Sequence, residues 1–275
     1  MTVPPAPAEP AWSPSDLRID PHCDPHKAER VQRMFAAIAA RYDLNNRLHS
    51  FGLDQWWRHR AVRAVAPVTG TRVLDVACGT GDLAMAFANA GADEVIGVDF
   101  TEPMLDIARA KAARRMPQTP RSLRFQFGDA TALAFPDATF DRVSIAFGLR
   151  NVSDPARALR EFRRVLKPDG RLAILEFDEP RLPIVRQLSR FYTRVIMPWT
   201  ATLIARDRSG AYHYLPRSVE TFLDRTSLAR MLGDCGFHAI VQQALCAGVA
   251  VVTVASPVAA GKRPTCRVAT DASTP

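Results

Sequence analysis

Val73-Leu74-Asp75-Val76-Ala77-Cys78-Gly79-Thr80-Gly81-Asp82 is the stretch on which the fold turns. The apolar run from Arg72 to Ala77 reads as a buried strand, and a helix is expected near Asp82 to Asn89. Between them, Gly79 and Gly81 let the backbone turn tightly and come close to a ligand. A dinucleotide site would carry a third glycine, so that a helix N-terminus faces a pyrophosphate. Here that glycine is missing and carboxylates stand in its place, with Asp75 at the strand's end. Acidic groups suit a ligand that bears an ammonium and a sulfonium and has no phosphate. The plain alternative is an ordinary tight turn between strand and helix.

Two further stretches weigh against that plain turn. Val95-Ile96-Gly97-Val98-Asp99 ends the next strand on an acid able to accept two hydrogen bonds from a ribose diol. Gly128-Asp129-Ala130 follows a third strand, Leu123 to Phe127. There Asp129 can accept an adenine amino group, and the Ala130 amide can reach a ring nitrogen. Outward from these loops the chain alternates strand and helix. Phe140 to Phe147 is the fourth strand and Arg171 to Phe177 the fifth. Between them lies a helix capped by Asp154, with Pro155 at its first position, that stops at Lys167-Pro168-Asp169-Gly170. Strands near Phe237 to Leu245 and Val249 to Val254 complete the set. This order predicts an α/β fold with a doubly wound, mostly parallel sheet, whose ligand lies beyond the carboxyl ends of the strands.

Ahead of the sheet, helices are expected over Arg30 to Tyr42 and Asp54 to Val65, joined by a polar and aromatic stretch rich in turn formers. A helical insertion is expected over Ile184 to Ala205, interrupted at Pro198. It carries Arg186, Arg190 and Arg194 at four-residue spacing beside Ile184, Val185, Leu188, Phe191, Tyr192, Val195 and Ile196. Such a basic amphipathic helix suits an anionic lipid surface or, equally, packing over the sheet with a solvated arginine stripe. The flanks, residues 1–25 and 259–275, read as disordered tails around a single domain over 26–258.

The three acidic loops resemble the S-adenosylmethionine (SAM) site of class I methyltransferases, a Rossmann-like seven-stranded class. Longer stretches resemble one branch of it, the ubiquinone/menaquinone biosynthesis C-methyltransferases. They are RYDLNNRLHSFGLDQWW, FPDATFDRVSIAFGLRNVSDPARALREFRRVLKPDGRLAILEF and YHYLPRSVETFLDRTSLARMLGDCGF, within a similarity over about residues 28 to 255. The resemblance implies methylation of a ring carbon on a polyprenylated quinol, from demethylmenaquinol to menaquinol or at the benzoquinol step of the ubiquinone route. It implies Thr80, Asp99, Asp129 and Ala130 as SAM contacts, and the loop residues Asp75, Gly79 and Gly81 join them on the reading of the glycine turn given above. That family often has Ser before Phe-Gly-Leu-Arg-Asn. Here Ala146 holds that cofactor position and offers no hydroxyl.

Arg150 is the first substrate-site candidate, placed at the end of the fourth strand to steady a phenolate or orient a water. Its plain reading is a capping arginine. Tyr42 and Asn151 join it as substrate contacts. His49 and His213 are candidates for proton transfer, since imidazole titrates near neutrality. Asp43 belongs to the same polar stretch, and Cys78 reads as a small packing residue.

Composition narrows the rest. With 275 residues, 47% hydrophobic and 23% charged, the chain suits one globular α/β domain. The longest apolar stretch, Cys246 to Gly261, is too short to span a bilayer. Five cysteines without ligand spacing point to a reducing cytoplasm and no metal. No early basic cluster precedes an apolar core, so no secretory signal is expected. The net charge of +8 raises an RNA-binding methyltransferase as a rival reading, but scattered arginines with little aromatic interleaving argue for no nucleic acid. A SAM enzyme acting on another small acceptor also stays open, as does a binding protein that keeps the pocket without catalysis.

Overall fold

The computed structural model describes residues 10–13, 15–115, 122–197, 200 and 210–258. Seven strands form one sheet: β1 (Arg72–Val76), β2 (Glu94–Asp99), β3 (Ser122–Phe127), β4 (Phe140–Ala146), β5 (Leu166–Phe177), β6 (Phe237–Leu245) and β7 (Ala250–Pro257). Their order is β3-β2-β1-β4-β5-β7-β6. β7 runs antiparallel to both neighbours, and the other pairings are parallel. β1 sits between β2 and β4, so the strand order reverses there and a crevice opens beyond the carboxyl ends.

The central strands read as apolar runs because helices cover both faces. One core gathers Leu74, Ile96, Val143, Leu159 and Phe162 under α5 (Pro155–Val165) and α8 (Arg225–Asp234). The other gathers Val73, Val95, Phe87 and Leu105 under α2 (Leu53–Ala64), α3 (Asp82–Asn89) and α4 (Glu102–Arg115). Burial of each such side chain contributes about 1.5–3 kcal/mol. As expected, the Asp154 carboxylate caps α5 by accepting the Arg157 amide at 2.9 Å.

Four expectations change. The first helix, α1 (Lys27–His49), runs seven residues past Tyr42 through the stretch expected to turn. Its polar residues find tertiary partners that outweigh their weak helix propensity. Lys167-Pro168-Asp169-Gly170 ends the helix, yet it lies within β5, where the pairing with β4 shifts register between Phe140 and Arg142. The insertion forms α6 (Pro183–Phe191) and a π-helical turn, Tyr192–Ile196, while residues 198–199 and 201–209 lie outside the described residues. Two helices that sequence reading did not assign, α7 (Ala211–Thr221) and α8, precede β6.

The domain also starts earlier than residue 26. Trp12 is buried against Val31, Met34 and Tyr214, stacked on the Tyr214 ring at 4.8 Å, and the Arg30 guanidinium lies 5.3 Å from the centre of the indole. A proline-rich composition masked this anchor, because one tryptophan decides the packing. The C-terminal tail over 259–275 lies outside the described residues.

Candidate active site

A cleft opens at the carboxyl ends of β1 to β4. Its walls come from the loops after β1, β2, β3 and β4, from α1 and α4, and from the turn Asn151 to Ser153. Of the residues singled out in the sequence, it brings together Gly79, Asp99, Asp129, Ala130, Ala146, Tyr42 and Asn151.

Asp99 organises the glycine loop. One carboxylate oxygen accepts the Gly79 amide at 2.8 Å and the other the Thr101 amide at 2.9 Å. Burial pushes the Asp99 carboxyl above its usual range, more than those amides draw it down. Gly79 has φ +53, and a β-carbon there would meet nothing within 4 Å, so bare backbone faces the cleft. Gly81, at φ +81, has no such freedom: a β-carbon would come within 2.7 Å of Phe125. Ala77 and Phe147, both on the wall, also hold positive φ, at 50° and 56°. Two side-chain-bearing residues in that region at the ends of adjacent strands mark a backbone shaped by the cleft rather than by local preference.

After β3, Asp129 accepts the Thr131 amide at 2.8 Å, which folds the loop and leaves its second oxygen for a ligand. Phe35, Tyr42, Phe100, Met104 and Phe147 add an apolar lining. The cleft thus combines acids from the strand ends with apolar side chains from α1, α4 and the strand-end loops. This arrangement fits SAM: a carboxylate for the ribose diol, an open backbone at the glycine loop, an acid and an amide for adenine, and no cradle for phosphate.

The other residues singled out in the sequence do not line the cleft. Asp75 is buried under the loop, where one oxygen accepts the Ser144 hydroxyl at 2.7 Å and the other has no partner among the described residues. Burial raises its pKa to about 7. Thr80 is buried and donates its hydroxyl to Asp43 at 2.6 Å. The Arg150 guanidinium turns inward, pairing with Glu176 at 2.5 Å and donating to the Phe147 carbonyl at 2.7 Å. His49 Nδ1 lies 2.8 Å from the Asn45 carbonyl, which can only accept, so the proton sits there; Nε2 meets the Thr200 hydroxyl at 2.8 Å. Exposed His213 starts α7, off the wall, and Cys78 packs beside Gly97, its thiol pushed well up by burial.

Sequence reading missed three contributors. Lys111, buried on α4, donates to Asp43 at 2.6 Å, Asp82 at 2.7 Å and Thr80 at 3.0 Å. Burial and the ammonium act oppositely on Asp82, and its pKa ends below the usual range. Nothing in the helical pattern marks Lys111 among its basic neighbours. Tyr214 donates to Asn151 Oδ1 at 3.0 Å while Asn151 Nδ2 donates to the Phe147 carbonyl at 3.1 Å, which sets the amide at the cleft edge. Glu176 was visible as a lone acid ending an apolar strand.

The fold and the cleft define a class I SAM-dependent methyltransferase. SAM-dependent methyltransferases from Thermotoga maritima and Aquifex aeolicus superpose with TM-scores of 0.55 and 0.54 at 20% and 17% identity. They cover 82% and 90% of this chain, and 99% and 100% of their own. At such identity the likeness shows the fold alone; the [4+2]-cyclase SpnF matches with TM-score 0.53, 23% identity and coverage of 73% and 81%. The sequence is more specific: the chain belongs to the ubiE/COQ5 methyltransferase family, whose profile matches residues 24–256. A demethylmenaquinone methyltransferase of Thermus thermophilus is 46% identical over 80% of this chain and 98% of its own length. One from Deinococcus radiodurans is 43% identical, over 77% and 86%. A ubiquinone/menaquinone biosynthesis C-methyltransferase of Geotalea uraniireducens is 40% identical, over 83% and 96%.

Proposed function

We propose that this enzyme methylates a ring carbon of a polyprenylated quinol, converting demethylmenaquinol to menaquinol. The observation that carries this reading is the cleft beyond β1 and β4. It brings the Asp99–Gly79 pair, aromatic side chains and the Phe147–Asn151 turn into one lining. The names of the relatives support the naphthoquinol over the benzoquinol, since those at 46% and 43% identity are demethylmenaquinone methyltransferases.

When bound, SAM supplies a methyl group made electrophilic by its sulfonium. Asp99 would accept from the ribose, Asp129 and Ala130 would hold the adenine, and Gly79 and Ala146 would let the ligand lie against backbone. Phe35, Met104 and Phe147 exclude water, which strengthens every polar contact inside. The Tyr42 phenol is kept protonated by burial and donates toward the quinol oxygen. Asn151, locked by Tyr214, orients the ring edge. Arg150 acts through position: its guanidinium ties the Phe147 carbonyl to Glu176 and so sets the turn that carries Asn151. Much of the rate then comes from alignment of donor and acceptor.

A polyprenyl tail keeps the substrate in a bilayer, so the enzyme works from the cytoplasm at the inner face of the membrane. Among the described residues no helix is long and apolar enough to cross it. Incubation of the purified protein with SAM and either reduced naphthoquinol or reduced benzoquinol tests the reading by mass analysis. Gain of one ring methyl on the naphthoquinol is expected; gain on neither quinol refutes it.

A further inference from the structure

We propose that the tip of the α1–α2 hairpin and the outer face of α6 form one docking surface for an anionic bilayer, a claim that rests on the lipid substrate proposed above. Among the described residues, eleven of the fourteen exposed large apolar side chains fall in two stretches, 44–56 and 182–196. Outside them only Ile19, Phe127 and Val241 remain, far apart in sequence. An exposed apolar cluster of this extent on one face marks an interaction surface.

The two stretches touch. The Phe51 and Tyr192 rings lie 5.8 Å apart, and the Tyr192 hydroxyl donates to the His49 carbonyl at 3.1 Å. α6 buries no residue at all. Ile184, Leu188 and Phe191 recur at helical spacing on one side of it and are 58–75% exposed. Its apolar stripe therefore faces outward, the reverse of a helix packed on a core. At the hairpin tip, Phe51 takes φ 54 before Gly52 at φ 76, and this left-handed pair throws the Phe51 ring into solvent at 78% exposure. A strained bulky residue kept exposed gains nothing for the core.

Charge selects the occupant. Residues 181–197 hold four arginines and no Asp or Glu, and of the four Arg190 is paired with Glu179 just ahead of the stretch. Around α2, Arg60 lies over the exposed Trp56 ring at 5.8 Å and Arg63 is exposed beside it. The nearby acids are spoken for: Asp54 pairs with Arg58 and Glu179 with Arg190. An apolar face rimmed by cations matches an anionic headgroup layer over acyl chains. A second copy of this chain would set arginine against arginine. The face lies within two turns of the cleft along α1, where Tyr42 is on the cleft wall and Leu44 and Leu48 are exposed on the other side of the helix. From the other side, Phe147 on the wall contacts Trp57, the neighbour of Trp56, at 5.9 Å. A quinol ring enters the cleft while its prenyl tail stays in the lipid.

The test sediments the full chain with sucrose-loaded vesicles of phosphatidylglycerol and phosphatidylethanolamine, and separately with phosphatidylcholine alone. The wild type is expected to partition at least tenfold better onto the anionic vesicles, less so in high salt. The double variant Phe51→Asp, Leu188→Asp is expected to lose at least tenfold of that partitioning. It should still methylate a short-chain quinol dissolved in buffer with unchanged kcat and KM, which shows that it folds. Equal partitioning of variant and wild type overturns the proposal, as does equal binding to both vesicle types. A dimer in sedimentation velocity that the double variant dissolves also overturns it and gives the face to a second copy. A wild type that binds anionic vesicles but methylates no quinol leaves the docking face standing and removes the substrate assignment.

Discussion

Asp43, on α1, accepts the hydroxyl proton of Thr80, in the glycine loop, at 2.6 Å. The bond fastens the N-terminal helix to the loop that receives the cofactor, and the Lys111 ammonium sits between them, touching Asp43, Thr80 and Asp82. Buried carboxylates without their cation are costly. Lys111→Met is therefore expected to lower unfolding free energy by about 3–5 kcal/mol in urea titration. A loss below about 1 kcal/mol would mean that the ammonium is replaceable by water.

Asp99 holds the glycine loop and, in the proposed reading, the ribose. Asp99→Asn keeps an acceptor for the Gly79 amide but removes the charge from the hydrogen bonds to the ribose. Charge-assisted bonds contribute about 1.5–3 kcal/mol, so the SAM dissociation constant in calorimetry should rise roughly ten- to a hundredfold. Unaltered affinity would put the ribose elsewhere.

Asp75 makes stability depend on pH. Its carboxyl titrates at about 7 in the fold, against about 3.9 in the unfolded chain. Below the unfolded value both states are protonated and nothing is lost. As pH rises from about 4 to about 7, the unfolded chain releases a proton that the fold retains, and stability falls. Asp99, also raised by burial, acts in the same direction. The Asp75→Asn variant lacks this term, so its stability relative to wild type should improve across that window by up to about 4 kcal/mol. A difference that stays flat from pH 4 to 7 would show the Asp75 carboxyl to be ionised in the fold.

The Arg150–Glu176 pair separates position from chemistry. Either Arg150→Met or Glu176→Leu strands a buried charge and should cost about 3–5 kcal/mol. Changing both together should cost less than either alone, as read from a double-mutant cycle in denaturant. If the doubly changed enzyme folds well and turns over at the wild-type rate, Arg150 has no part in setting the turn at Asn151.

Trp12 extends the domain beyond the family match that begins at residue 24. Trp12→Ala should cost about 3–5 kcal/mol. It should also raise the KM for quinol, because the Tyr214 ring it stacks on holds Asn151. Trp12→Phe should restore most of both. A quinol KM unmoved by Trp12→Ala would confine the stack to stability.

The strand ends were legible in sequence, and the cleft's acidic edge with them. Asp99 and Asp129 close their apolar runs, so the register of a parallel sheet carries both to one edge. Arg150, Thr80 and Asp75 were legible as polar residues near that edge, but not in the direction they face. Whether Arg150 looks into the cleft or back toward β5 depends on Glu176, 26 residues away along the chain.

The amino-acid sequence by itself determined the order of the strands and of the helices up to β5, the glycine turn and the chemistry of its ligand. Those follow from hydrophobic period and backbone freedom, which act over a few residues. Only the tertiary structure decided that α1 continues to His49, that Trp12 is buried, and that α6 shows its apolar face to solvent. Each of these is settled by partners distant in the chain, whose burial or absence outweighs any local preference.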